Sequence, residues 1–319
     1  MTGSPAPRYL SPLRYPGGKA RMAPWLAEAF WGSQGLLGLP VEVWLEPFGG
    51  GAGAALAALE SHGLPEAWIV EANPALAAFW LEITGDDAER FARRVEETVP
   101  GLPAFWAARE RVVDALVAGA DGHDLFELGW AAFVLNRCSR SGMVIGNVGP
   151  IGGKAQSGRD IVSSRWNGSA LAQRIRRIRE HGSRFKVFAG DGISYLEDLP
   201  DSGFGEEVFV FADPPYIGVG DRLYAHGLDR AGHERLAAAI HGLPCAWALT
   251  YDVHPDVLSL YPEAEVWEFA APQTTGRSRV GSEYLVLPLG MTREAGNPLG
   301  KGLMTLVQDG GSGERAHAA

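Results

Sequence analysis

Apolar and polar residues alternate along this chain in short blocks that switch between two periods. Val41-Glu42-Val43-Trp44-Leu45 has the length and composition of a strand, and it feeds a glycine-rich stretch from Gly49 to Gly53. Ala54 to Glu60 follows, rich in Ala and Leu, the residues that lose least on becoming helical. Ala67-Trp68-Ile69-Val70 predicts a second strand, ending in Glu71. Asn73-Pro74 then opens a helix, with Asn able to cap the first free N–H groups and Pro at the first helical position. Strand, helix, strand, helix with a glycine loop at the first crossover is the pattern of a parallel α/β sheet.

The middle of the chain reads differently. Asp86 to Ala118 is charged and helical in texture, and Phe126 to Leu135 is an apolar helix. Ser139 to Gly168 is rich in Gly, Ser, Asn and Arg and has no clear period, and a loop of that length in a compact protein is usually functional. A basic helix is predicted from Ser169 to His181. Strands resume at Phe185 to Ala189, Val208 to Ala212, Cys245 to Thr250 and Tyr284 to Leu289, with a helix over Arg230 to Ile240. A further helix is expected from Met22 to Phe30, and the Gly-rich, polar tail from Thr292 to Ala319 reads as mobile. No internal repeat is present.

Composition narrows the class. At 319 residues, 46% apolar, the chain can bury a large core. No stretch is long and apolar enough to cross a bilayer, and Met1 to Tyr9 lacks the apolar region of a signal peptide, so a cytoplasmic home is expected. Two cysteines are too few for a disulfide framework, no Cys/His cluster has zinc spacing, and no metal is expected. Pro244-Cys245 could suggest a nucleophilic thiol, but Cys245 opens an apolar run and reads as a buried strand residue.

The net charge of −10 argues at first against a polyanionic partner, yet the charge is uneven. Between Val134 and Gly190, eleven Lys and Arg face only Asp160 and Glu180, which is a segment of +9 on an acidic body. A basic face of that kind is compatible with phosphate binding; a solvated helix face is the plainer reading for Arg174 to Arg179.

The most specific chemistry lies at strand ends. Val208 to Ala212 runs into Asp213-Pro214-Pro215-Tyr216. The prolines supply no N–H, so their neighbouring carbonyls and the Asp213 carboxylate are left as acceptors, beside the flat face of Tyr216. An exocyclic amine such as N6 of adenine offers the donors they need, and a base taken out of its stack offers a ring to Tyr216. The simpler alternative is a proline-rich turn. Glu46-Pro47-Phe48 precedes the glycines, and a carboxylate there repels phosphate but suits a cofactor bearing a cation, as S-adenosylmethionine does. Glu71 stands where an acid can accept from both ribose hydroxyls, while a packing turn is the plain reading of the glycines. Asp191 could accept from the amino group of the cofactor's adenine, or simply cap Ile193 to Leu196. In Arg14-Tyr15-Pro16-Gly17-Gly18-Lys19, Lys19 could reach an anionic group such as the methionine carboxylate and Tyr15 could pack on the methionine moiety; a surface turn is the alternative.

Taken together, Arg-Tyr-Pro-Gly-Gly-Lys, Glu-Pro-Phe-Gly-Gly-Gly-Ala-Gly, Val-Glu-Ala-Asn-Pro and Asp-Pro-Pro-Tyr, in that order, resemble the D12-class (Dam-like) N6-adenine DNA methyltransferases. The resemblance spans roughly Leu13 to Leu289. It implies a Rossmann-like α/β methyltransferase domain over residues 8–84 plus 185–291, with S-adenosylmethionine as methyl donor. It implies an inserted, mainly helical target-recognition domain over residues 85–184, and 292–319 as a flexible tail. Tyr15, Lys19, Phe48, Gly50, Glu71 and Asp213 would surround the cofactor, joined on their own chemistry by Glu46 and Asp191, and Asp213 to Tyr216 would surround the target adenine. Asn136, Arg137 and Arg140 look like the family's Asn-Arg element, and with Lys154 and Arg165 they are the expected contacts to double-stranded DNA. Cys138-Ser139-Arg140-Ser141 departs from the aromatic-rich stretch that follows that pair in some Dam-like enzymes, and Arg14-Tyr15 replaces a common Lys-Trp, so no recognition sequence follows. A restriction-enzyme partner is equally uninferable. Three alternatives stay open: adenine methylation in structured RNA, a nucleic-acid-binding protein with a decayed site, and a nucleotide-dependent oxidoreductase, against which Glu46-Pro47 argues.

Overall fold

A computed structural model of the chain describes residues 10–37, 41–203, 207–217, 227–273, 279–291 and 304–310. In chain order the elements are α1 (Ala23–Leu37), β1 (Val43–Glu46), α2 (Gly53–Ser61), β2 (Glu66–Glu71), α3 (Pro74–Thr84), α4 (Ala88–Glu97), α5 (Leu102–Ala118), α6 (Leu125–Cys138) and α7 (Gly168–Glu180). They continue with β3 (Phe185–Ala189), α8 (Gly192–Asp198), β4 (Val208–Ala212), α9 (Arg230–His241), β5 (Ala246–Asp252), α10 (Pro255–Leu260), β6 (Glu265–Gln273), β7 (Arg279–Leu287) and β8 (Met304–Asp309).

The strands form one eight-stranded sheet in the order β3-β2-β1-β4-β5-β7-β6-β8. β1 to β5 are parallel, and β7, β6 and β8 add as antiparallel strands. The fold is Rossmann-like α/β. Strand period 2 divides the core between the two faces. Phe209 and Phe211 of β4 pack with α1, α2 and α3 on one side, whereas Val208, Val210 and Ala212 pack with α8 and α9 on the other. Burial on both faces explains why β4 is an unbroken apolar run.

Helices α4 to α7 lie between α3 and β3 in sequence and pack on α3. The Phe79 and Phe133 rings stack 5.3 Å apart, and Phe91, Trp130 and Trp166 close round them edge-on. One hydrophobic cluster therefore runs from the sheet through α3 into these helices. The charged stretch from Asp86 is helical, as two helices separated at Thr98 to Gly101, where the backbone at Thr98 and Gly101 is extended.

The C-terminal part departs most from expectation. β6 was not foreseen, because Glu265, Glu268 and Pro272 disguise it; Pro is unfavourable inside a strand. Within the segment expected to be mobile, Met304 to Asp309 forms β8 against β6, while residues 292–303 and 311–319 lie outside the described ones. Among the described residues no helix is long and apolar enough to cross a membrane.

Candidate active site at the carboxyl edge of the sheet

The chain leaves β1 for β2 and β3 on one side and returns through β4 on the other, so the crevice beyond β1 and β4 is the topological switch point of the sheet. Ligands of open α/β sheets bind at such points, outside the carboxyl ends of the strands. The glycine turn follows β1 and Asp213 follows β4, so both motifs border this crevice.

The glycine turn is tightly built. Gly50 and Ala52 both have positive φ, 45° and 46°. Gly49 N–H donates to the Val70 carbonyl at 2.8 Å, and Trp80 Nε1 donates to the Gly50 carbonyl at 2.9 Å. Glu71 holds the turn from β2: Oε2 accepts from Gly50 N at 2.7 Å and Oε1 from Asn73 N at 2.8 Å. Burial raises the Glu71 pKa to about 7 despite these two bonds. Phe48 is half-buried nearby in the sequence and packs on the core.

A strap, residues 10–20, crosses the turn. Ser11 Oγ donates to the Gly51 carbonyl at 2.6 Å. The Tyr15 ring lies directly on the glycines: a Cβ at Gly50 would stand 2.8 Å from Tyr15 Cε1, and one at Gly51 would stand 2.7 Å from Tyr15 Cβ. The missing side chains are what let the strap approach.

Lys19, at the end of the strap, reaches the second motif. Its Nζ donates to Asp213 at 2.9 Å and to Tyr216 Oη at 3.0 Å, and lies 3.5 Å from Glu283. Thr250 Oγ1 donates to Asp213 Oδ1 at 2.7 Å. Burial alone would lower the Lys19 pKa, but Asp213, Tyr216 and Glu283 hold it well above the usual value. Burial and the Asp213 charge push the Tyr216 phenol well above its ordinary range, so it stays protonated. Ile217 N–H donates to Asp252 at 3.1 Å, tying the residue after the tetrapeptide to the end of β5. Thr250 and Glu283 were missed in sequence, since each sits in an apolar strand with no motif around it.

Several of the expected site residues have partners within the chain. Lys19 pairs with two carboxylates of the chain, Asp213 and Glu283. Glu46 is buried, and its Oε1 accepts from Trp44 Nε1 at 3.1 Å and Ala55 N at 2.7 Å, so that oxygen anchors α2. Burial raises its pKa to about 8. Asp191 caps α8 through Ile193 N and Ser194 N and pairs with Arg235 at 3.0 Å, which is its capping reading. The loop carrying it lies against the first motif, because a Cβ at Gly192 would meet the Pro47 carbonyl oxygen at 1.8 Å.

Asn136 is fully buried and is a staple rather than a surface contact. It accepts from Arg14 N at 2.8 Å and donates to the carbonyls of Arg14 and Gly142 at 2.9 and 2.5 Å. Arg137 is half-buried and donates to the carbonyls of Pro12 and Arg165. Arg140, Lys154 and Arg165 are exposed. The basic helix is largely neutralised: Arg176 pairs with Glu89 and Glu96, and Arg177 with Glu60 and Glu180. Cys245 is buried, its thiol pushed up to about 12 by burial. No group of three or more His, Cys, Asp and Glu among the described residues could hold a metal ion.

No protein-family model matches the chain, and no curated protein matches it. Among solved structures it is similar to the rRNA methyltransferase AviRa from Streptomyces viridochromogenes, in two determinations. The one at 2.4 Å is 16% identical, with 82% of this chain and 83% of that chain covered and a TM-score of 0.32. The one at 1.5 Å is 15% identical, with 87% and 89% covered and a TM-score of 0.37.

Proposed function

We propose that this chain is an S-adenosylmethionine-dependent methyltransferase that modifies the N6 amino group of adenine in a nucleic acid. The observation that carries the reading is the pairing of two motifs across the switch point. A glycine turn clamped by Glu71 stands on one side, and Asp213 beside Tyr216 on the other.

The residues fit such a cofactor. Glu71 is a buried acid at the end of β2 with lone pairs left to accept from ribose hydroxyls, and Tyr15 and Phe48 supply apolar surface. When bound, the cofactor supplies a methyl group on a sulfonium. The protein supplies acceptors and alignment. Thr250 and Lys19 hold the Asp213 carboxylate in one orientation, so its remaining lone pair can accept from an amino group. The N6 lone pair is delocalised into the ring, and a hydrogen bond from the amino group to Asp213 favours the pyramidal nitrogen that can attack. Fixed acceptors of this kind act through positioning and local electrostatics. In a duplex the amino group is hidden, so the base must leave the stack, and Tyr216 offers it a ring.

Duplex DNA is the substrate that the Dam-like order of motifs implies. Structured RNA offers the same amino group, and the two neighbours named as rRNA methyltransferases, at TM-scores of 0.32 and 0.37, do not decide between them. The test is transfer from labelled S-adenosylmethionine to unmethylated genomic DNA and to total RNA, followed by nucleoside analysis. N6-methyladenine from either, abolished by Asp213→Ala with cofactor affinity reduced only modestly, is the expected result. Label on another atom, substantial turnover by Asp213→Ala, or no transfer to either nucleic acid would sink the reading.

A further inference from the structure

Arginines of α7 take carboxylates, whether half-buried like Arg176 or exposed like Arg177 and Arg179. Arg176 reaches Glu89 and Glu96, Arg177 reaches Glu60 and Glu180, and Arg179 comes within 3.8 Å of Asp86. Arg174, on the same helix, does not. Its guanidinium donates to the Ser11 carbonyl at 3.1 Å.

Three further guanidinium groups meet it at the root of the strap. Arg137 donates to the carbonyls of Pro12 and Arg165. Arg14 donates to the carbonyls of Ser139 and Arg140 at 2.8 and 3.3 Å. Arg165 is exposed and its charge acts on both Arg14 and Arg137. Among the described residues none of the four has a carboxylate partner; the fold answers Arg14, Arg137 and Arg174 with neutral carbonyls alone, and the Arg165 side chain with no hydrogen bond. Arg137 Nε is buried and has no hydrogen-bond partner. Burial, and then mutual repulsion, lower the pKa of Arg14 and of Arg137, the latter to about 10.

Like charges gathered without compensation cost stability, and an anion would remove that cost. Planar guanidinium forks match phosphate oxygens. The loop after α6 adds three more exposed basic residues, Arg140, Lys154 and Arg159. The strap that these arginines hold is the one that seats Tyr15 on the glycine turn and brings Lys19 to Asp213.

We propose that Arg14, Arg137, Arg165 and Arg174 form a phosphate-binding site for the backbone of the nucleic acid whose base is offered to Asp213. The choice of nucleic acid as phosphate source rests on the proposed function. The site displaces the contact surface from the basic helix, whose remaining arginines are already paired, to the strap and the loop beside it.

The test is equilibrium binding of a labelled DNA duplex and a labelled RNA stem-loop over a range of KCl, without cofactor. Arg165→Gln, Arg174→Gln and the double variant are compared with Arg177→Gln, which removes one charge from the same helix but from a paired residue. Each lost phosphate contact should make the slope of log K against log [KCl] shallower by ~0.9 for duplex DNA. The double variant should therefore lose a slope of about two and bind more weakly at low salt, while Arg177→Gln keeps the wild-type slope. Thermal melts confirm folding, and Arg165, whose side chain forms no hydrogen bond among the described residues, is the safe member. An unchanged slope in the double variant, or an equal loss in Arg177→Gln, would overturn the site. If inorganic phosphate stabilises the wild type and not the double variant, while both nucleic acids ignore the substitutions, the nucleic-acid assignment is overturned. A slope that falls as expected in a protein that transfers no methyl group would keep the site and reject the enzyme.

Discussion

Asn136→Ala should unfold the strap rather than weaken a nucleic-acid contact. The amide side chain is fully buried and satisfies three backbone groups: Arg14 N–H, Arg14 C=O and Gly142 C=O. There is no slack with which to repair the loss. Gly142 has a φ of 79°, and a Cβ there would stand 2.6 Å from the Arg14 carbonyl oxygen, so strap and loop are already in close contact. A buried polar group left without its partner costs ~1–3 kcal/mol. Arg14 is half-buried and water can reach part of it, which puts its two groups at the low end. The expected loss is ~3–4 kcal/mol, a large share of the ~5–15 kcal/mol that holds a typical protein folded. At ~2–4 °C per kcal/mol for proteins somewhat smaller than this one, the melting temperature should fall by about 10 °C. Urea unfolding followed by circular dichroism should show a lower midpoint at unchanged m, because the substitution alters stability and not the surface exposed. Asn136→Asp is the sharper variant. It can still accept from Arg14 N but sets a carboxylate against two carbonyl oxygens, and should be at least as damaging near neutral pH. If both variants keep wild-type stability while the salt dependence of nucleic-acid binding changes, Asn136 belongs to the interface and the staple is refuted.

Two further predictions concern the glycine turn and the acid beneath it. Glu46 has its pKa raised by burial to about 8 from 4.5, so the folded state holds a proton that the unfolded chain releases. That contribution is complete below the unfolded value and is lost as pH rises through about 8. At ~1.36 kcal/mol per unit the window is worth on the order of a few kcal/mol. Glu46→Gln keeps an acceptor for Trp44 and Ala55, so its stability relative to wild type should grow between pH 5 and 9 by that order; parallel curves would show that Glu46 is not buried as an acid. Gly51→Ala places a Cβ 2.7 Å from Tyr15 Cβ and should destabilise by ~1–3 kcal/mol. Tyr15→Gly in the same chain, which removes that Cβ, should recover most of that loss, and additive effects in the double-mutant cycle would mean that Tyr15 does not sit on the turn.

Local sequence determined much of this molecule. The helix opened by Asn73-Pro74, the glycine turn, and β4 with its acidic end were legible because each is encoded by neighbours: a cap, a backbone needing no Cβ, an unbroken apolar run. The two chemical motifs could likewise be named, and their places after β1 and β4 follow from the α/β alternation. What tertiary structure alone decided are the partners. That Glu46 turns inward to Trp44 and Ala55, that Lys19 reaches across to Asp213 and Glu283, and that Asn136 binds the strap are contacts between residues up to 264 positions apart. The basic segment shows the difference most clearly. Its count of charges was plain in the sequence, but Glu60, Glu89 and Glu96 lie far from it in the chain, and only folding brings them to Arg176 and Arg177 while leaving Arg14, Arg137 and Arg174 to backbone carbonyls and Arg165 exposed. A charge's effect depends on what lies within a few ångströms of it, and composition carries no distances.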